Sequence, residues 1–158
     1  MVHQRHHRSK RHHNMPCNVY RTVQHVGVSQ KKIQSVVMAT VHHLGSSKKD
    51  VSVHCVGEKK MRTMNRLFRG IDRPTDVLSF PSESMVPGYE IDDSGDIFLC
   101  SQYIERQAKR FDVPYKEEYY RMLIHGVLHL NGYDHEKPIH AKRMFSLQED
   151  ILAKVLNR

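Results

Sequence analysis

His125-Gly126-Val127-Leu128-His129-Leu130-Asn131-Gly132-Tyr133-Asp134-His135 sets three histidines at spacings of four and six residues. On a helix of about 3.6 residues per turn, His125 and His129 lie one turn apart on one face, where two imidazoles can grip one metal ion. Gly132 stops the helix, because glycine readily takes the left-handed conformation that follows a last helical turn. The chain then turns back and His135 can reach the same ion. Three neutral imidazoles suit Zn²⁺ and leave a fourth position for water, the arrangement of catalytic rather than structural zinc. A chance grouping is the alternative in a chain with 13 histidines, but three histidines and a glycine in register argue against it.

The register also matches the metzincin signature, His-Glu-x-x-His-x-x-Gly-x-x-His, at His125, His129, Gly132 and His135. It departs at the second position, where Gly126 stands in place of the glutamate that serves metalloproteases as general base. The metal geometry survives and the peptide-cleaving chemistry loses its acid–base group.

Working outward, residues 115–130 form the helix that carries the first two histidines, apolar enough to be buried on most sides, after a break at Val113-Pro114. Pro138 suits the first position of a last helix, with Met144, Leu147, Ile151 and Val155 as its core stripe. Upstream, Val19 to Val26 alternates weakly and reads as a strand. Ser29 is a candidate N-cap for a helix whose Ile33, Val36, Val37, Thr40 and Leu44 keep helical spacing and whose end is Gly45. Residues 50–56 alternate Val51, Val53 and Cys55 against Ser52 and His54, a strand with one buried face, so His54 reads as a strand-surface residue. Met61, Met64, Leu67 and Phe68 mark a second helix between Gly57 and Gly70. Residues 77–80 and 95–100 read as strands, Ser82 to Ser94 as a mobile loop, and residues 101–110 as a helix. Alternating strands and helices predict an α/β (α+β) single domain: a small, mostly parallel mixed β-sheet packed by helices, with a metzincin-like metal-site helix.

The chain has 158 residues and a formal net charge of +8. Residues 1–49 hold nine Lys/Arg and no Asp or Glu, against 16 basic and 17 acidic residues in the remainder. That excess attracts polyanions, with salt-dependent RNA affinity as one outcome and plain solubility as the other. Residues 1–16, with five histidines among Arg and Lys, cannot bury apolar area and read as a disordered arm, which leaves 17–158 as the domain. Cys17, Cys55 and Cys100 are odd in number and far apart, which points to free core thiols in a reducing compartment. No apolar run approaches the ~20 residues of a membrane span, and no apolar segment follows the basic start as in a secretory signal. A transit peptide is the minor alternative there.

The histidine segment resembles the signature of the bacterial YbeY proteins, metal-dependent endoribonucleases and rRNA maturation factors. A second segment, Asn65-Arg66-Leu67-Phe68-Arg69-Gly70-Ile71-Asp72-Arg73-Pro74-Thr75-Asp76-Val77-Leu78-Ser79-Phe80-Pro81, is similar to that family's Asn-x-x-x-Arg-Gly…Pro-Thr-Asp-Val-Leu-Ser-Phe-Pro run, and Gly95-Asp96-Ile97 also fits. The likeness runs from about residue 50 to the C-terminus and leaves out about the first 15 residues. It implies a single-strand-specific endoribonuclease with one Zn²⁺ per chain, held by His125, His129 and His135. Its implied work is maturation of the 3′ end of small-subunit (16S) rRNA and ribosome quality control in the cytoplasm. The implied partners are the 16S rRNA precursor and the small ribosomal subunit with its proteins, with no membrane.

Arg69 matches the family's Arg-Gly arginine and is the candidate for steadying charge at phosphorus, a role worth ~3–4 kcal/mol for one such donor. It would equally suit the C-terminal end of its helix. Arg66 and Arg73 are candidate phosphate contacts for the substrate. Asp76, Asp96 and Asp134 are the acids placed to orient a histidine, though turn and cap roles suit the first two. Tyr133 can stack on a base or pack. Two other readings stand beside the nuclease: a metzincin-like metalloprotease, and a non-catalytic, zinc-stabilised ribosome-associated factor. Three histidines also accept nickel, copper or iron.

Overall fold

The computed structural model describes residues 17–46, 50–82 and 93–158. The basic arm 1–16 and the body of the expected loop between Ser82 and Ser94 lie outside the described residues. The order is β1 (Cys17–Arg21), α1 (Gln30–Leu44), β2 (Asp50–Val56), α2 (Glu58–Arg69), β3 (Val77–Pro81), β4 (Asp93–Cys100), α3 (Ser101–Phe111), α4 (Tyr115–Leu130) and α5 (Pro138–Val155). The strands form one sheet in the order β1-β2-β4-β3. The first three are parallel, and β3 runs antiparallel to β4. This is the α+β domain with a mostly parallel mixed sheet that the alternation predicts.

The period-two pattern of the strands decides which face is buried. Val51, Val53 and Cys55 of β2 and Ile97 and Leu99 of β4 point to one side and are fully buried. Ile33, Val36, Val37 and Val41 of α1, the apolar face of α4, and Met144, Ile151 and Leu152 of α5 cover them. Each large apolar side chain buried this way contributes about 1.5–3 kcal/mol before the entropy of ordering it. The caps fall where expected. Ser29 Oγ accepts from Lys32 N–H at 3.1 Å, and Gly45 closes α1 at φ 60°.

Two expectations need correction. β1 ends at Arg21 rather than Val26. Val26 and Val28 are buried from a turn, with Gly27 at φ 73° and the Tyr115 hydroxyl donating to the Val26 carbonyl. Burial there comes from a loop tied to α4, not from strand pairing. Leu67 and Phe68 do mark α2, but they are 69% and 64% exposed, while Met61 is fully buried.

α4 is positioned by a glycine. It crosses the sheet so closely that a Cβ at Gly126 would lie 2.9 Å from Ile97 Cγ2 and 3.2 Å from Ser79 Oγ. The metzincin glutamate is thus replaced at the point where helix backbone meets sheet side chains.

Candidate metal centre

The last two turns of α4 bring His125 and His129 into contact, Nε2 to Nε2 at 3.0 Å. The helix closes with Tyr133 N–H donating to the Leu128 carbonyl at 3.1 Å, and Gly132 takes φ 86°. That bend returns His135 to the pair, its ring centroid 5.5 Å from His125 and 5.1 Å from His129. One ring nitrogen from each of the three lies within 4.8 Å of the others.

Hydrogen bonds behind the rings determine what the facing atoms are. His125 Nδ1 is 2.7 Å from Gln148 Oε1. Gln148 donates its Nε2 to Glu149 Oε1 at 3.2 Å, so its amide oxygen is turned to the ring. His129 Nδ1 is 2.8 Å from the Tyr133 carbonyl. Both Nδ1 atoms therefore carry the N–H, and both Nε2 atoms carry a lone pair. Protonation does not relieve this. Burial lowers the His125 pKa, and burial, then the His125 ring, pushes His129 down to about 4. Two lone pairs 3.0 Å apart repel, and a cation between them turns that repulsion into two bonds. Two ligands of a tetrahedral zinc, each about 2.0–2.1 Å from the ion, stand roughly 3.3 Å apart. The donor set fits Zn²⁺.

Gln148 is the functional residue that the sequence reading missed. It is only 4% exposed and sits between Met144 and Ile151 on the inner stripe of α5. A buried amide in an apolar stripe is the signal that would have found it. Glu149, which fixes the amide, is itself held by Arg121 Nε at 2.8 Å. Arg121 also pairs with Glu117 and Glu118 of α4. Partners behind a metal ligand are typically worth about 10–100-fold in metal affinity. Gln148→Leu should therefore weaken zinc binding by about that factor in competition with a chromophoric chelator, while thermal unfolding confirms an intact fold. Unchanged affinity would show that His125 needs no such aim.

The three histidines open on a cleft of about 530 Å³ lined also by Val77, Leu78 and Ser79 of β3 and by Phe145 and Gln148 of α5. Arg69, at the last turn of α2, lines the same cleft. Gly70 caps that helix at φ 71°, and buried Asn65 donates to the Arg73 carbonyl at 2.8 Å, bracing the bend beyond Arg69. Arg66 and Arg73 are exposed and do not line the cleft.

Asp76 and Asp134 line the cleft and Asp96 does not, yet none of the three bonds a cluster histidine. Asp134 holds His140 at 3.1 Å, Asp96 holds His54 at 2.7 Å, and Asp76 accepts from Val77 N–H at 2.7 Å. A main-chain carbonyl and an amide do the orienting instead. The Tyr133 ring packs on the main core with the Arg143 guanidinium 5.4 Å from its centroid. Cys17, Cys55 and Cys100 are buried free thiols, and burial pushes Cys17 up to about 12, so they are inert core residues.

Comparison with known proteins agrees with the geometry. A family model described as "Endoribonuclease YbeY" matches residues 18–156. A protein of that name from Persephonella marina is 38% identical over 129 residues, covering 81% of this chain and 84% of that protein. Another, from Aquifex aeolicus, is 35% identical over 129 residues, covering 81% and 85%. The solution structure of TM1509 from Thermotoga maritima superposes with a TM-score of 0.59 at 28% identity, covering 89% of each chain. With a family model matching residues 18–156 and relatives above 30% identity covering 81% of the chain, the chain belongs to the YbeY family.

Proposed function

We propose that the protein is a zinc-dependent endoribonuclease that hydrolyses phosphodiester bonds of single-stranded RNA. In the cell it would trim the 3′ end of the 16S rRNA precursor and act in ribosome quality control, on the small subunit and in the cytoplasm. One observation carries this reading: two imidazole lone pairs held face to face, with a third histidine beside them, on a cleft shared with an arginine. The relatives' printed name supports the substrate class.

His125, His129 and His135 would hold the ion, and Zn²⁺ with an open position supplies an activated water and polarises a phosphoryl oxygen. Arg69 lines the same cleft. Its guanidinium donates to the non-bridging oxygens, where negative charge grows at the transition state. Arg66 and Arg73, outside the cleft, meet phosphates further along the strand. Gly126 speaks against the protease reading, since the position carries no acid–base side chain and a Cβ there would lie 2.9 Å from Ile97 Cγ2. No helix among the described residues is long and apolar enough to cross a membrane.

The test uses protein purified without a nickel column, checked by elemental analysis, on a single-stranded RNA carrying the 16S 3′ extension. Cleavage should stop with EDTA and return with zinc. Arg69→Ala should cut about 10²–10³-fold more slowly with its zinc content unchanged. Zinc-loaded protein that binds small subunits but cuts no RNA would replace the nuclease with the non-catalytic factor. Turnover of casein would replace it with the protease.

A further inference from the structure

The sheet face opposite the main core is only partly covered. α2 seals one end of it, where Met61 packs with Val56, Leu78 and Cys100. On the same face each strand contributes one ring to a row that crosses the sheet, with Phe80 and Phe98 packed against that patch. Tyr20 of β1 stacks on His54 of β2 at 5.0 Å, and His54 stacks on Phe98 of β4 at 4.3 Å, 7° from parallel. Phe98 meets Phe80 of β3 edge-on at 5.7 Å, and Phe80 meets Phe68 of α2 at 4.9 Å. Strand register sets the order, because Tyr20 pairs with His54 and His54 with Phe98. The inner rings satisfy one another. The two ends do not: Tyr20 is 51% and Phe68 64% exposed. Single exposed rings are ordinary; here Phe80 and Phe98 pack on the α2 cluster, and the row they anchor ends in an exposed ring on each side.

We propose that this row is a stacking platform for unpaired bases of the RNA strand held at the metal cleft. The proposal rests on the nuclease reading. Continuity names the occupant, since Phe68 ends the row and its neighbour Arg69 lines the cleft. Charge does so as well. Among the described residues Lys59, Lys60 and Arg69 of α2 enter no ion pair, and Asp96 on this face is held by His54. Rings that stack on bases, flanked by cations that follow the backbone, bind single strands with little sequence preference. A duplex keeps its base faces hidden and gains nothing from the rings.

The test is binding rather than cleavage, with full-length metal-free protein in EDTA. Fluorescence anisotropy of a labelled oligouridine is compared with that of a duplex of the same length. Tyr20→Ser/Phe68→Ser, at two exposed positions, should lower single-strand affinity at least about tenfold and leave duplex affinity unchanged. Equal loss on both ligands, or no loss, overturns the platform. So does a change from dimer to monomer in sedimentation, which would make a second copy of the chain the occupant. Photo-crosslinking of 4-thiouridine RNA to the wild-type protein gives an independent reading. Adducts at Tyr20 and Phe68 are expected, and adducts confined to other residues overturn the proposal. If wild-type protein binds through these rings yet never cuts, the nuclease reading fails alone.

Discussion

His125→Ala/His129→Ala protein should bind no zinc, cut no RNA and lose all response of its melting temperature to zinc. The three readouts share one cause. His125 and His129 present two facing lone pairs 3.0 Å apart, and His135 alone cannot hold a divalent ion against water. A ligand at a thousand times its dissociation constant stabilises a folded protein by about 4 kcal/mol. For a domain of this size that raises Tm by roughly 8–16 °C, so wild-type protein should show a rise of that order and the variant none. Without metal the variant should melt near the metal-free wild type, since the substitutions also remove a repulsion. RNA cleavage continuing at the wild-type rate in the variant would detach the reaction from this centre.

Gly126→Glu should unfold or gravely destabilise the protein and should confer no peptidase activity. It is the change that would complete the metalloprotease signature. The Cβ alone would meet Ile97 Cγ2 at 2.9 Å and Ser79 Oγ at 3.2 Å, and Cγ2 of a β-branched residue has little freedom to move away. Overpacking costs about 1–3 kcal/mol, and a carboxylate wedged between helix and sheet without a partner adds several more. The gain from removing a helical glycine, about 1 kcal/mol, does not offset this. Against a usual total stability of about 5–15 kcal/mol, a loss above ~3 kcal/mol is expected from urea denaturation. A stable Gly126→Glu protein that turns over casein would show that the helix has room to retreat.

The metal triad was legible because it is local. Eleven consecutive residues, one helix end and one bend contain all of it, and helical spacing fixes two of the three positions. Helix limits were legible where their chemistry is local too: Ser29 and Gly45, Gly57 and Gly70, Pro114, Pro138. What depends on distant pairing was not. The strand order β1-β2-β4-β3 places β4 between two earlier strands, and no spacing rule announces that. Val26 looks like a strand residue because burial, not pairing, selects valine there. Leu67 and Phe68 look like core residues because periodicity reports a helix but not what lies beyond its face. Arg69 came from likeness to a known motif, since no local rule separates it from Arg66. Gln148 was overlooked because its importance lies in an atom 23 positions away.

That last bond has a temporal consequence. The ligands belong to α4 and the bend after it, but the amide that aims His125 belongs to α5, the final helix, as does the Glu149 that fixes the amide. A chain emerging from a ribosome has all three histidines before it has α5. Under the reading proposed above, a nascent chain surrounded by ribosomal RNA would hold an unaimed, weakly loaded centre. The centre would be aimed only once α5 has packed against α4 and brought Gln148 to His125.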